Sequence, residues 1–286
     1  MRPAPDFEPQ NAAPRPPPVA LTIAGFDPSS GAGITADLSV FAAHGIFGTS
    51  AITATTVQST MGVAGIRAAD PAWLSRTLEF VSTDLPAAGV KVGMLATDPI
   101  VRAVVEFLQT AEGRVPVVFD PVLRSSSGYE LLAPAALRRV HAEFLPLVDW
   151  TTPNWMELSV LSGVRVRTIE DVDSAAHALG RMHPRLYIVV TGGDQQEPID
   201  FLRAPGGAVQ TFRGERIETT STHGTGCAFS AALLSRLIMG EAPAKAVANA
   251  KTYVTGALRS ANPALGHGPG PLDLLWPLRA RRRGNC

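Results

Sequence analysis

VALTIAGFDPSSGAGITADLSVFAAHG, residues 19–45, decides the fold. Its opening VALTIAG (Val19 to Gly25) is a short apolar run of the kind buried between two layers. The middle, AGFDPSSGAGITAD (Ala24 to Asp37), is rich in glycine and serine. The end, ITADLSVFAAHG, has helical spacing and stops at a glycine. Strand, glycine loop, helix is the repeating unit of a parallel sheet covered by helices. The same rhythm returns in TSAITATT (49–56), VKVGML (90–95), VPVVFD (115–120), DWTTPN (149–154) and LYIVVTGG (186–193), with helix-like stretches such as DPIVRAVVEFLQTAEG between them, opened by Asp98-Pro99. After Gly193 the pattern changes. DFLRAPGGAVQTFRGERI has two extended runs around Pro205-Gly206-Gly207, which predicts an antiparallel hairpin closing one edge. Two helices follow, one carrying Phe229, Leu233, Leu234, Leu237 and Ile238 on one face, the other from about Ala244 to Ser260. The class is α/β, read as one domain over 19–278.

Composition narrows the chemistry. The 286 residues are 45% hydrophobic, enough for a large core, and 25 basic residues balance 25 acidic ones. No broad basic field is available for nucleic acid. The tail 279–286 holds the only basic run, RARRR, and reads as a solvated, frayed end. MRPAPDFEPQNAAPRPPP (1–18) scatters prolines through polar residues and has no continuous apolar stretch, so it reads as a disordered leader rather than a signal or membrane span. Cys227 and Cys286 are the only cysteines, which gives no disulfide framework and suits a reducing cytoplasm. The six histidines form no HExxH or His-x-His pair.

Ligands of an open parallel sheet gather beyond the carboxyl ends of its strands. There the chain places the first glycine loop, GML with Met94, DPVLRSSSG, TPNWME, TGG and finally STHGTGCAFSAALL (221–234). GxGxxG, GxxxxGK[ST] and GxSxG are all absent, which argues against a dinucleotide site, a P-loop and a hydrolase elbow. HGTGC offers another phosphate cradle. Its glycines let backbone N–H groups converge and the following helix adds the positive end of its dipole. The same field predicts a Cys227 thiol with a lowered pKa, able to act as a base toward a substrate alcohol. A small buried cysteine in a tight helix turn is the plain alternative.

In this order the motifs ALTIAGFDPSSGAGITADL, VQ of ATTVQST, VKVGMLA, DPV, TPNWMEL, VVTGGD, STHGTGCAFSAAL and GHGPGP resemble the hydroxymethylpyrimidine and phosphomethylpyrimidine kinases of thiamine biosynthesis, in the ribokinase-like superfamily. The resemblance implies an αβα sandwich on a mainly parallel sheet. It also implies ATP-dependent phosphorylation of 4-amino-5-hydroxymethyl-2-methylpyrimidine and of its monophosphate. Carried over by position, Asp37 and Gln58 would hydrogen-bond the aminopyrimidine, with Met94 packing on its ring and Gly25 and Ala32 beside it. Gly224, Thr225 and Gly226 would form the anion hole and Cys227 the base. Asn154, Thr191, Gly193 and Arg124 would face the nucleotide, with Glu157 and Asp120 near Mg2+. The family's lysine after DPV is replaced by Ser126, with Arg124 nearby, its lysine before GG by Thr191, and the asparagine after the glutamine by Ser59. Two phosphate-side cations are thus expected to be missing. Pyridoxine or pyridoxal kinase, and a noncatalytic pyrimidine-binding protein, are the alternatives. A homodimer in the cytoplasm is expected, with neither nucleic acid nor membrane as partner, and QSTMGVAG (58–65) is the expected lid.

Overall fold

The computed structural model describes residues 16–110, 115–125, 128–193 and 195–283. Most of the expected leader, and Ser126, lie outside them. The opening stretch forms β1 (Val19–Phe26) and α1 (Gly33–Ala43), followed by β2 (Phe47–Ser59), β3 (Gly62–Ala68) and α2 (Pro71–Asp84). Next come β4 (Gly89–Val92), α3 (Asp98–Thr110) and β5 (Val117–Phe119). A run of short helical turns over 134–147 includes α4 (Leu137–Arg139) and leads to β6 (Trp150–Thr151). The chain continues through α5 (Trp155–Ser162), α6 (Ile169–Met182), β7 (Tyr187–Val190), β8 (Ile199–Arg203) and β9 (Val209–Arg213). It closes with α7 (Thr225–Ile238), α8 (Pro243–Ser260) and α9 (Trp276–Arg283).

All nine strands join one sheet in the order β3-β2-β1-β4-β5-β6-β7-β8-β9. The six from β2 to β7 in that order run parallel, and β3, β8 and β9 add antiparallel pairs at the two edges. One face buries Leu74, Ile100, Val104, Leu158 and Leu179 from α2, α3, α5 and α6. The other buries Val40, Phe41, Leu233, Val247 and Ala250 from α1, α7 and α8. Helices therefore cover both faces, and the central strands are apolar on both sides, as a parallel sheet requires.

Local signals set the helix ends. Asp70 accepts from Trp73 N at 2.8 Å ahead of Pro71 to start α2. Asn154 and Glu157 form a reciprocal capping box at α5, as Thr168 and Asp171 do at α6. Gly163, with φ of 71°, ends α5 in the left-handed region.

Three segments take a form that local sequence signals did not specify. The segment expected as a lid, 58–65, is the end of β2 and the start of β3, a strand whose small residues, GVAGIRA, give no periodic signal. Its tip is tied down, because Thr60 Oγ1 accepts from His267 N and Gly268 N at 3.2 and 3.3 Å, which gives the GHGPGP loop its place. The basic tail continues α9 over 279–283, and Arg279 pairs with Asp273 at 2.7 Å. Finally, the strands of VPVVFD and DWTTPN are only three and two residues long, since the chain leaves the sheet early.

Burial also shapes the response to pH. His141 and His183 stack with ring centroids 5.8 Å apart, and His44 lies under α1 with Nδ1 2.8 Å from Val40 O. Burial pushes all three below the ordinary histidine value, and a charge on His141 further disfavours one on His183. Depressed values in the folded protein mean that the unfolded chain takes up protons first. Stability is therefore fully present above the unfolded value of about 6.5 and is lost as pH falls below it toward the folded values. Urea midpoints should drop between pH 7.5 and 5.5, and His141→Gln with His183→Gln should flatten that slope; an unchanged slope would contradict the assignment.

Candidate active site

Strand order reverses on either side of β1, and there, beyond the carboxyl ends of β1, β4, β5, β6 and β7, lies a cavity of about 660 Å³. Gly25 lines it and leaves room for Met94: a Cβ at Gly25 would stand 2.9 Å from Met94 Sδ. Met94 is itself 93% buried among Ala54, Ala96 and Leu131, so it is a core residue with one side on the cavity. Gln58 faces the same space, and the β2 to β3 pairing has a bulge between Val57 and Gln58, the device that re-aims a side chain near a site.

The opposite side of the cavity is formed by the start of α7. Gly224, at φ 86°, is its N-cap and no side chain caps the helix, so the first-turn N–H groups of a helix meet the cavity through Gly224, Thr225 and Gly226. Only glycine fits at 224, where a Cβ would lie 1.8 Å from Gly31 O. Cys227 follows in the first turn and lines the cavity. Its pKa departs from the sequence expectation. Burial pushes the thiol up, well above its ordinary value, although Lys91 and a backbone hydrogen bond from Gly33 pull it back. Desolvation is the largest of these effects.

Asp37 also departs from expectation. It is fully buried and does not line the cavity; both of its oxygens accept from Lys91 Nζ, at 3.0 and 2.9 Å, and Oδ2 accepts from Thr22 at 2.6 Å. Direct contact with a substrate ring is thereby corrected to a role beneath the site. Lys91, on β4, reaches the cavity floor, 3.7 Å from Asp120 Oδ2. Burial opposes its charge, but attraction to Asp37, and to Asp120 beyond it, outweighs burial and holds the ammonium above its ordinary range.

Asp120 sits beside the first turn of α7, accepting from Ser230 Oγ at 3.3 Å. Glu157 lines the cavity while its Oε2 accepts from Asn154 N at 2.9 Å. Among the described residues no group of three or more His, Cys, Asp or Glu could hold a metal. Glu157 and Asp120 thus make no protein-only metal cage, whereas Mg2+ carried by phosphates needs only one or two carboxylates and its own waters. Ala32, Asn154, Thr191 and Gly193 all line the cavity, and so does Arg124, half exposed and paired with Glu130 at 3.3 Å. The cavity is not short of cations: Arg216 and Lys251 line it too, the latter paired with Asp200 at 2.9 Å.

Sequence reasoning missed Lys91, Asp27 and His223. A lysine within the apolar VKV strand was the available signal for the first, since a buried lysine needs a partner. No helix among the described residues is long and apolar enough to cross a membrane.

The phosphomethylpyrimidine kinase family profile matches residues 27–273. The chain belongs to this family. It is 38% identical over 264 residues to the hydroxymethylpyrimidine/phosphomethylpyrimidine kinase of Synechococcus elongatus, an alignment covering 91% of this chain and 98% of that one. Among solved structures it resembles phosphomethylpyrimidine kinase from Clostridium difficile 630, with a TM-score of 0.73 and 32% identity over 84% of this chain and 99% of that one. It also resembles pyridoxal kinase from Staphylococcus aureus in complex with ADP, with a TM-score of 0.82 and 28% identity over 91% and 94% of the two chains. The ribokinase-like αβα sandwich is therefore shared with kinases named for a phosphomethylpyrimidine and for pyridoxal.

For this member of the family, Lys91→Met should lower the unfolding free energy by about 3–5 kcal/mol, the usual cost of leaving a buried charge unpaired. Adding Asp37→Asn should recover part of that loss. Urea titration of both variants checks this, and a loss under about 1 kcal/mol for Lys91→Met would mean that the pair contributes little.

Proposed function

We propose that the chain is an ATP-dependent kinase for the hydroxymethyl group of 4-amino-5-hydroxymethyl-2-methylpyrimidine and then for the resulting monophosphate, two steps of thiamine biosynthesis. One observation carries the reading: a single cavity brings Gln58 and Met94 together with the uncapped N-terminus of α7 and Cys227. Gln58 has both a donor and an acceptor for an aminopyrimidine edge, and Met94 offers an apolar, polarizable surface to the ring. The N–H groups at 224–226 are suited to the charge on a transferring phosphoryl group, where alignment and electrostatics matter most. Lys91, locked by Asp37, sets an ammonium at a fixed place beneath that point, its charge balanced by the carboxylate. These cavity cations favour a working kinase over a binder that has lost phosphate handling.

ATP brings its phosphates to the α7 end, with Asn154, Thr191, Gly193 and Arg124 on the nucleotide side. Glu157 and Asp120 offer hard oxygens that would hold Mg2+ carried by the phosphates, and the ion would supply neutralisation of phosphate charge there. Cys227 takes the proton of the substrate alcohol. Because burial holds the thiol protonated at neutral pH, the reactive thiolate is a minor form whose share grows with pH.

Purified protein, ATP, Mg2+ and each pyrimidine, with pyridoxine alongside, test the function. Product from both pyrimidines, with kcat/KM well above that for pyridoxine, is expected; no product from either pyrimidine would end the reading, and a preference for pyridoxine would replace it. Cys227→Ala should lower kcat by about 100-fold or more, the scale of a general base, with little change in KM for the pyrimidine. The wild-type kcat should keep rising with pH through the ordinary thiol range, to about pH 9, and the variant should lose that rise. A flat wild-type profile would remove Cys227 as the base.

A further inference from the structure

His223 is the one residue of the HGTGC turn that the reaction above does not use, and it is built in firmly. A Cβ at Gly31 would stand 2.1 Å from its Cδ2, so the glycine loop of β1 closes directly onto the ring. Its backbone N donates to Gly270 O at 3.1 Å. Its Nε2 lies 2.9 Å from Asp27 Oδ2 and 3.1 Å from the Gln58 side-chain amide. Its side chain is 87% buried and that of Asp27 97%, and both residues line the cavity.

One ring nitrogen has either a proton or a lone pair and cannot serve as both donor and acceptor. Asp27 settles which. Its Oδ1 accepts from Ser29 N and Ser29 Oγ at 2.8 and 2.7 Å, and its Oδ2 from Ala32 N at 3.0 Å, so the carboxylate is an acceptor throughout. Burial alone would raise its pKa, but these donors and His223 hold it below the ordinary value. His223 Nε2 therefore carries the proton that faces Asp27.

A protonated Nε2 cannot accept from an amide N–H, so the Gln58 carbonyl, rather than the Gln58 Nε2 placed there, suits the side facing His223, where it shares the single N–H with Asp27, and the NH2 suits the side facing Thr56. Thr56 suits that assignment. Its Oγ1 is 3.1 Å from the Gln58 amide and donates to Phe26 O at 3.0 Å, which leaves a lone pair for Gln58. The Thr56 hydroxyl proton and one Gln58 N–H then each have an acceptor. The reverse orientation sets two N–H groups against each other.

We propose that His223, oriented by Asp27, fixes which way round Gln58 presents its amide, and so acts as a positioning residue for recognition of an aminopyrimidine edge. The inference rests on the kinase reading above. An amino group beside a ring nitrogen offers a donor and an acceptor in a set order, and only one orientation of a facing amide matches it. A pyridine alcohol has no such edge. The Asp27–His223 pair thus acts on the choice of ring rather than on phosphoryl transfer.

A double-mutant cycle tests this. His223→Ala and Asp27→Asn should each raise KM for 4-amino-5-hydroxymethyl-2-methylpyrimidine about 10-fold or more, with kcat and KM for ATP changed less than about 3-fold. Both should narrow the preference over pyridoxine. His223→Gln, which can still offer an N–H to Asp27, should restore most of the affinity, and it carries the test if the alanine variant does not fold. In a Gln58→Ala background, loss of His223 should add less than about twofold. Multiplying losses in that background, or an equal fall with pyridoxine, would overturn the inference while leaving the kinase reading intact. A wild-type protein inactive on the pyrimidine would overturn both.

Discussion

The buried pair of Lys91 and Asp37 is the interaction on which the site depends. Each ion would be costly alone in an apolar interior, so each requires the other and a fixed distance between them. That distance joins β4 to α1, with Thr22 of β1 completing the contact and Asp120 beyond β5 nearby. The pair thereby locks three adjacent elements where the strand order reverses. It also leaves a permanent cation beneath the cavity floor, close enough to Cys227 and Asp120 to act on both. The surrounding core of valine, leucine and isoleucine supplies the bulk of the stability, but it is indifferent to which strand end carries which chemistry. The ion pair is not.

Close backbone approach is the second constraint. Gly33, at φ 59°, brings the start of α1 so near β1 that a Cβ would stand 2.3 Å from Gly25 O, and Gly224 seats α7 against Gly31 in the same way. These contacts let the N-termini of two helices converge on one cavity. Ser30 also takes a positive φ, of 60°, within this loop, next to Gly31, on which His223 and Gly224 pack. The glycines read in the sequence as phosphate-loop features are thus equally packing features.

Much of the fold was legible because strand and helix signals are local. The first unit, the two late helices and the edge hairpin were all readable from apolar spacing and turn residues. β3 was not, because GVAGIRA has neither alternation nor bulk; pairing with β2 makes it a strand. The candidate site was legible as a set of motifs at strand ends but not as contacts. Lys91 and Asp37 are 54 residues apart, Gln58 and His223 165, and Asp27 and His223 196. No local pattern encodes those pairings. Asp37 shows the consequence: a carboxylate beside a glycine loop reads as a ligand contact, yet one further turn of packing makes it a buried counter-ion.

By itself the sequence determined the class, the order of the motifs and the residue types available for a kinase, since these follow from periodicity, glycine placement and family resemblance. Tertiary structure alone decided which of those residues reach the cavity, that Cys227 sits deep enough for burial to push its thiol up, and that His223 joins Asp27 to Gln58. The reason is physical. Propensity and spacing act over a few residues, whereas desolvation and the pairing of charges depend on everything that surrounds a group once the chain has closed over it.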